Sequence, residues 1–288
     1  MRVFLTGGSG YLGAATVRAL VRRGHDVSAL ARSERSAAAV AGLGADPVPG
    51  DLTDLTVLRD AARAADAVIH LGVDYAADTA ARDLDAALAM LDGLGGRGAY
   101  VHTGGLWVYG DTDGVADEDA PRRPPRITAW REANERRVLA AAAAGARPVL
   151  VMPGVVYGRG GGLIETYFAE PARAHGAVPR IGDGAGHWAV VHVDDAAELY
   201  ALALDAAPGS VYGAAADEQP THAEIVLAVS RAVGAPGAVE VLTPAEAERR
   251  MGPIAEPFGF DQRFSAARAR KELGWAPAHH DVLGELAS

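Results

Sequence analysis

The chain has 288 residues, 49% of them hydrophobic, with no cysteine and a formal net charge of −10; that length supports one or two domains with an ample core, and the missing thiols exclude disulfides, thiolate metal ligands and a cysteine nucleophile. The acidic balance, with no basic run longer than pairs such as Arg122-Arg123 and Arg136-Arg137, disfavours nucleic acid and anionic membranes as main partners and leaves a small molecule as the expected ligand. No apolar run is long enough to cross a bilayer and Met1-Arg2-Val3 enters the first strand at once, so no span and no secretory signal are expected and the expected location is cytoplasmic.

Arg2-Val3-Phe4-Leu5 reads as a strand running into Thr6-Gly7-Gly8-Ser9-Gly10-Tyr11-Leu12-Gly13 and then into an alanine-rich amphipathic helix that ends near Arg23-Gly24-His25. Between a strand and a helix the glycines have separate tasks. Gly7 takes up positive φ, Gly10 lets a phosphate approach the backbone and Gly13 lets the helix pack closely on the strand, while the helix start, with Tyr11 and Leu12, turns free N–H groups toward an anion. The context is the one a dinucleotide site requires. The second strand, Val27 to Leu30, ends in Ala31-Arg32-Ser33. No acid stands there to bond a ribose 2′-hydroxyl, and Arg32 offers a charged fork suited to a 2′-phosphate, so NADP is expected ahead of NAD. The plain alternative is a solvated arginine in a polar turn.

Further strand-like runs follow at Ala67-Val68-Ile69-His70-Leu71, Ala99-Tyr100-Val101-His102 and Pro148-Val149-Leu150-Val151, alternating with helical segments. Such alternation predicts βαβ units and a doubly wound parallel sheet of the α/β Rossmann class. After Pro153-Gly154 the pattern loosens into Gly158 to Gly162 and Ile181 to Gly186, and the runs Asp194 to Leu204 and Ser210 to Gly213 are expected to return to the sheet. The expected division is a dinucleotide-binding part over 1–152, rejoined by 190–215, and a small discontinuous substrate lobe over 153–189 and 216–288.

Taken in order, the glycine turn, Gly50-Asp51-Leu52-Thr53-Asp54, His70-Leu71-Gly72, Trp107-Val108-Tyr109-Gly110, Pro153-Gly154-Val155-Val156-Tyr157-Gly158, Val191-His192-Val193-Asp194-Asp195 and Ala269 to Trp275 resemble the extended short-chain dehydrogenase/reductase family of epimerases, dehydratases and reductases over nearly the whole chain. The resemblance implies that Asp51 and Leu52 meet the adenine, that Leu71 and Gly72 pass the ribose and pyrophosphate, and that Pro153 lies near the nicotinamide. On the residues alone, Asp51 can equally cap the helix beginning near Thr53, and Pro153 can simply end a strand. Dimerisation through two helices is common in the family, and the segments Asp83 to Leu91 and Glu135 to Ala144 make a homodimer possible.

In such enzymes a Ser or Thr bonds the substrate oxygen, a Tyr exchanges a proton with it, and a Lys four residues later lowers the phenol pKa. Here the only lysine is Lys271, and the residue four before it is Ala267. Alignment on Trp107-Val108-Tyr109-Gly110 puts the three family positions at Gly105, Trp130 and Asn134, none of which supplies a titratable proton. Thr103 provides the hydroxyl if the loop is shorter. Candidate proton donors are Tyr109, Tyr157, His102 and His187, each of which can instead be a packed and hydrogen-bonded core residue. Trp107, Trp130 and Trp188 are expected to line an apolar substrate cavity, with Asn134 as an orienting amide and His187 nearby; Ile181 and Phe258 also point to a less polar substrate.

Three readings follow: an NADP(H)-dependent oxidoreductase without the Tyr–Lys pair; a non-redox isomerase, dehydratase or cyclase that keeps the cofactor site; and a nucleotide-sensing protein without turnover. Asp194-Asp195 reads as a pair of acids at a helix start. No metal site is expected, because His279-His280 has no ligand partner at a suitable spacing and His187 and His192 stand apart. The acidic stretch Asp111 to Asp119 reads as a solvated loop near the cleft mouth.

Overall fold

Short Val-, Ile- and Leu-rich runs form strands, and the alanine-rich segments between them form helices. In the computed structural model, which describes residues 1–288, the first half runs β1 (Arg2–Thr6), α1 (Tyr11–Arg22), β2 (Asp26–Ala31), α2 (Glu34–Ala41), β3 (Asp46–Pro49), α3 (Leu55–Ala64), β4 (Ala67–His70), α4 (Thr79–Leu94), β5 (Ala99–Thr103), β6 (Val115–Ala116), α5 (Ala129–Ala140) and β7 (Arg147–Pro153). The second half runs β8 (Val155–Tyr157), α6 (Gly162–Ile164), α7 (Glu170–His175), β9 (Val178–Ile181), β10 (Val190–His192), α8 (Val193–Leu202), β11 (Val211–Ala214), α9 (His222–Ala232), β12 (Val239–Leu242), α10 (Pro244–Met251), α11 (Ala255–Phe258), β13 (Arg263–Phe264), α12 (Ala267–Leu273) and α13 (Val282–Leu286).

Seven parallel strands make one sheet in the order β11-β7-β5-β4-β1-β2-β3. Side chains alternate across it, so Val3 and Leu5 of β1 join one core while Phe4 joins the other. On the first face Val17 and Leu20 of α1 pack with Leu199 and Tyr200 of α8. On the second, Leu58 of α3, Met90 of α4 and Val138 of α5 pack on Phe4, Val68 and Tyr100. Alanines bring α1 and α8 together: Ala15, Ala19, Val193 and Ala197 form a small tight cluster. β3 carries Pro47 and Pro49, tolerated because an edge strand has one side free of ladder bonds.

The expected return of 190–215 is split. α8 and β11 join the main sheet layers, whereas β10 pairs with β8 outside that sheet. Two more parallel pairs, β9 with β12 and β6 with β13, complete the remainder, whose core gathers Phe168, Trp188, Ile225 and Phe258. No helix is long and apolar enough to cross a membrane. From β1 the chain order runs toward β2 on one side and β4 on the other, so a crevice opens beyond the carboxyl ends of these strands, where ligands of such sheets bind.

Candidate active site

The turn after β1 is shaped by what a side chain would hit. Gly7 has φ +76°, and a Cβ there would lie 2.8 Å from Gly72 N; a Cβ on Gly13 would lie 2.0 Å from Gly7 O. Thr6 ties the two loops together, its Oγ1 accepting from Gly72 N at 3.0 Å and lying 2.6 Å from His70 Nδ1. Whereas α2, α9 and α10 start with Ser or Thr capping boxes, α1 begins at Gly10 with no side-chain cap. Its first N–H groups therefore remain available to an anion, as a bound diphosphate needs.

Around this turn the expected cofactor residues fall as follows. Arg32 is exposed just past the end of β2, between buried Ala31 and the Ser33 that caps α2. Asp51 Oδ1 accepts from Thr53 Oγ1 at 2.6 Å and Thr53 N at 2.7 Å, and these bonds hold its carboxyl below the usual carboxylate range. These bonds shape the turn ahead of α3, which starts at Leu55 from Asp54 without a side-chain cap, so Asp51 does not cap the helix. Leu52 packs at the rim of the core beneath α3. Leu12 and Leu71 pack partly into the core on the α1 side of the sheet. Tyr11 turns its ring onto Gly161 and Gly162 and donates to Gly158 O at 2.6 Å, so only its backbone remains at the turn.

A cavity of about 470 Å³ lies beyond the ends of β5 and β7, lined by 17 residues of which 10 are hydrophobic. Pro153, Gly105, Trp107 and Trp130 are in its wall. At Gly105 the backbone is extended, and an added Cβ would have no neighbour closer than Pro153 O at 3.9 Å. Where the family places a hydroxyl, this chain leaves room. Trp130 donates its indole N–H to Ile127 O at 3.1 Å.

Several expected residues lie elsewhere. Asn134 is buried and donates to Ala80 O at 2.8 Å and Asp83 Oδ2 at 2.9 Å, so its amide anchors α5 to α4 and does not face the cavity. Trp188, 3% exposed, stacks on His222 and Phe258 and donates to Phe258 O; it is core. His187 pairs with Asp261 at 2.9 Å in a separate depression of about 490 Å³ that also holds Arg263 and Arg270. Tyr109 is buried, donates to Glu118 O at 3.2 Å, and burial pushes its phenol up to about 12. Tyr157 is buried against His192, its hydroxyl unpartnered and its pKa raised by burial. Thr103 Oγ1 accepts from Tyr200 OH at 3.0 Å. His102 lies in the core beside Tyr100, and burial lowers it to about 3, leaving a neutral imidazole. For Trp188, Tyr109 and His102 the physical reason is common: a large polar aromatic next to a motif finds its partner within the packed interior.

Four cavity residues carry no signal in the sequence pattern: Tyr75 in the loop after Gly72, Thr128, Arg131 and Tyr167. Tyr167 sits in a single π-helical turn, Glu165–Ala169, a distortion frequent at functional sites. Arg131 immediately follows the tyrosine position, where only the spacing of the pair draws notice.

Titratable groups also meet where the sequence shows none. His279, expected to be alone, stacks on His192 with ring centroids 3.5 Å apart, beside Asp194, Asp195 and Glu285. The ring planes differ by 23°, so the in-plane lone pairs run nearly side by side and do not converge on one ion as tetrahedral coordination needs. Asp194 pairs with Arg159 and Asp195 accepts from Ala278 N and His279 N, so both helix-start acids tie segments together. The acidic stretch is likewise engaged: Asp111 accepts from Asp261 N, Glu118 from Gly213 N, and Asp119 pairs with Arg268.

Residues 3–215 match the NAD dependent epimerase/dehydratase family. An uncharacterised protein of Schizosaccharomyces pombe is 31% identical over 295 residues, covering 100% of this chain and 99% of that one. The 2-alkyl-3-oxoalkanoate reductase of Stenotrophomonas maltophilia is 31% identical over 278 residues, covering 89% and 82%. The fold is that of the Thermus thermophilus UDP-glucose 4-epimerase solved with NAD, with a TM-score of 0.81 at 24% identity over 100% of this chain and 97% of that one. A matching profile over most of the chain, full-length relatives and the same sheet together establish that the chain belongs to the NAD dependent epimerase/dehydratase family of extended short-chain dehydrogenases/reductases, and is an NAD(P)-dependent enzyme of oxidoreductase or epimerase type.

Proposed function

We propose that the protein is an NADP(H)-dependent oxidoreductase that interconverts a carbonyl and a hydroxyl on a small, largely apolar molecule without a Tyr–Lys pair. One juxtaposition supports it: the uncapped glycine turn of β1 and a mostly apolar cavity share the carboxyl end of the sheet, with Gly105 and Pro153 in the cavity wall. A bound nicotinamide supplies hydride chemistry. The chain does the rest. Residues before Pro153 contribute Trp107, Ile127 and Trp130, and residues after it contribute Leu163, Met251 and Ile254, so substrate sits between the dinucleotide part and the second lobe. Gly105 leaves space for a substrate oxygen to approach the backbone. Trp130 does not protonate that oxygen, since its N–H is engaged by Ile127 O. Solvent supplies the proton to that oxygen.

Arg32, exposed at the end of β2 with no neighbouring acid before Glu34, suits a 2′-phosphate. The S. maltophilia relative, named for reducing an oxo group on an alkylated acid, favours carbonyl reduction over work on a sugar nucleotide. The test is to incubate the protein with NADPH and a panel of apolar carbonyl compounds, keto acids included, following absorbance and product mass, and to compare the affinities of NADP⁺ and NAD⁺. NADPH consumption matching product, and tighter NADP⁺, are expected. Product without net cofactor oxidation would instead favour an isomerase, dehydratase or cyclase, and cofactor binding without turnover a sensor.

A further inference from the structure

The cavity wall carries one charge. Of its 17 lining residues, Arg131 is the only acidic or basic one. Nη1 donates to Thr103 O at 3.0 Å, and Cζ lies 4.6 Å from the centroid of the Trp130 ring, so the guanidinium is held in a fixed plane. The acids on its own helix are engaged elsewhere: Glu132 with Arg136 at 3.5 Å, Glu135 with Arg122 at 2.5 Å. Arg131 itself forms no ion pair, in a chain of net charge −10 where most arginines do. A guanidinium has five N–H donors, and one carbonyl uses one of them. Part-exposed on an apolar wall and outside any ion pair, the guanidinium has N–H groups left for a ligand that brings negative charge.

We propose that Arg131 anchors a carboxylate of the substrate, so that the cavity takes apolar keto or hydroxy acids and not neutral ketones. The planar fork matches a carboxylate in two parallel bonds. Thr128, at the N-cap of the same helix, lines the same cavity beside it. Trp107, Ile127, Leu163 and Tyr167 receive the apolar body. Because the carbonyl that holds the guanidinium belongs to Thr103, two residues before Gly105, the anion sits close to the wall where the reacting oxygen approaches. This specifies the substrate class of the oxidoreductase proposed above and rests on that reading.

The test needs no turnover. Octanoate and methyl octanoate are titrated by tryptophan fluorescence into the protein with and without saturating NADPH. Octanoate should bind at least about tenfold more tightly than its ester, the worth of one charge-assisted hydrogen bond, and the preference should shrink as salt rises. In Arg131→Gln the preference should vanish while ester binding, NADPH binding and melting temperature hold. Equal affinities in the unaltered protein overturn the proposal, as does a preference that survives Arg131→Gln. Loss of NADPH affinity in Arg131→Gln with the octanoate preference intact also overturns it, placing the guanidinium against the cofactor. A protein that prefers octanoate but binds no pyridine nucleotide sinks the oxidoreductase reading and leaves this site standing.

Discussion

Replacing Gly10 by alanine separates folding from cofactor binding. Gly10 lies at φ −83°, ψ 174°, a region any L-residue adopts, and an added Cβ meets only Gly7 O, at 3.2 Å. Relief takes a shift of a few tenths of an ångström. The lower entropy of the unfolded alanine chain offsets the poorer cap, so stability should stay within about 1 kcal/mol, or about 2–4 °C in melting temperature. Binding responds differently, because the methyl stands on the open side of the turn where the first N–H groups of α1 meet no side-chain cap. A diphosphate held off by that methyl loses two charge-assisted bonds of about 1.5–3 kcal/mol each. The sum, about 3–6 kcal/mol, corresponds to two to four orders of magnitude in Kd. Calorimetric titration with NADPH beside thermal melting is the assay; binding within about threefold of the unaltered protein would refute the phosphate cradle. Gly13→Ala is the contrast, since its Cβ would lie 2.0 Å from a backbone oxygen, and it should lose both stability and affinity.

Arg32→Glu should weaken NADPH by about tenfold or more and strengthen NADH, an exchange read by fluorescence titration of both. Asn134→Leu removes the 2.9 Å donor to buried Asp83, leaving His70 and His102 at 3.5 and 3.7 Å, too long for good hydrogen bonds; a loss of about 2–4 kcal/mol is expected by urea unfolding, and Asp83→Asn in the same chain should recover part of it. His222 is buried against Trp188 with Nε2 unpartnered, and burial lowers its pKa to about 4. The unfolded chain then takes up a proton near pH 6.5 that the folded chain refuses, so stability is complete above that pH and falls by up to about 3 kcal/mol down to pH 4. His222→Phe should flatten that part of the unfolding profile, and an unchanged slope would assign the loss to other groups.

The glycine turn is legible in the sequence because Gly7, Gly10 and Gly13 answer to constraints set within a few residues: one dihedral, one open approach, one close contact. The alternating strands are legible for the same reason, since burial on both faces of a parallel sheet writes apolar runs such as Ala67 to His70. Family spacing likewise points to Gly105 and Trp130, which both line the cavity. It fails at Asn134, whose amide turns to Asp83 some 50 residues away, and at Trp188, Tyr109 and Tyr157, whose rings are buried. His192 and His279, 87 positions apart, show no pattern in one dimension and touch in three.

By itself the sequence determined the glycine turn between β1 and α1, the βαβ alternation, and the lack of a tyrosine–lysine couple, because backbone dihedrals and residue chemistry act over neighbouring positions. Only the tertiary structure decided that Arg131 lines a mostly apolar cavity while Arg136 and Arg137 on the same helix face solvent. An arginine reads the same in either setting. What separates them is which distant segments, the ends of β5 and β7 and the segment after β8, share a cavity with that turn of α5, and such a meeting arises only when the whole chain is folded.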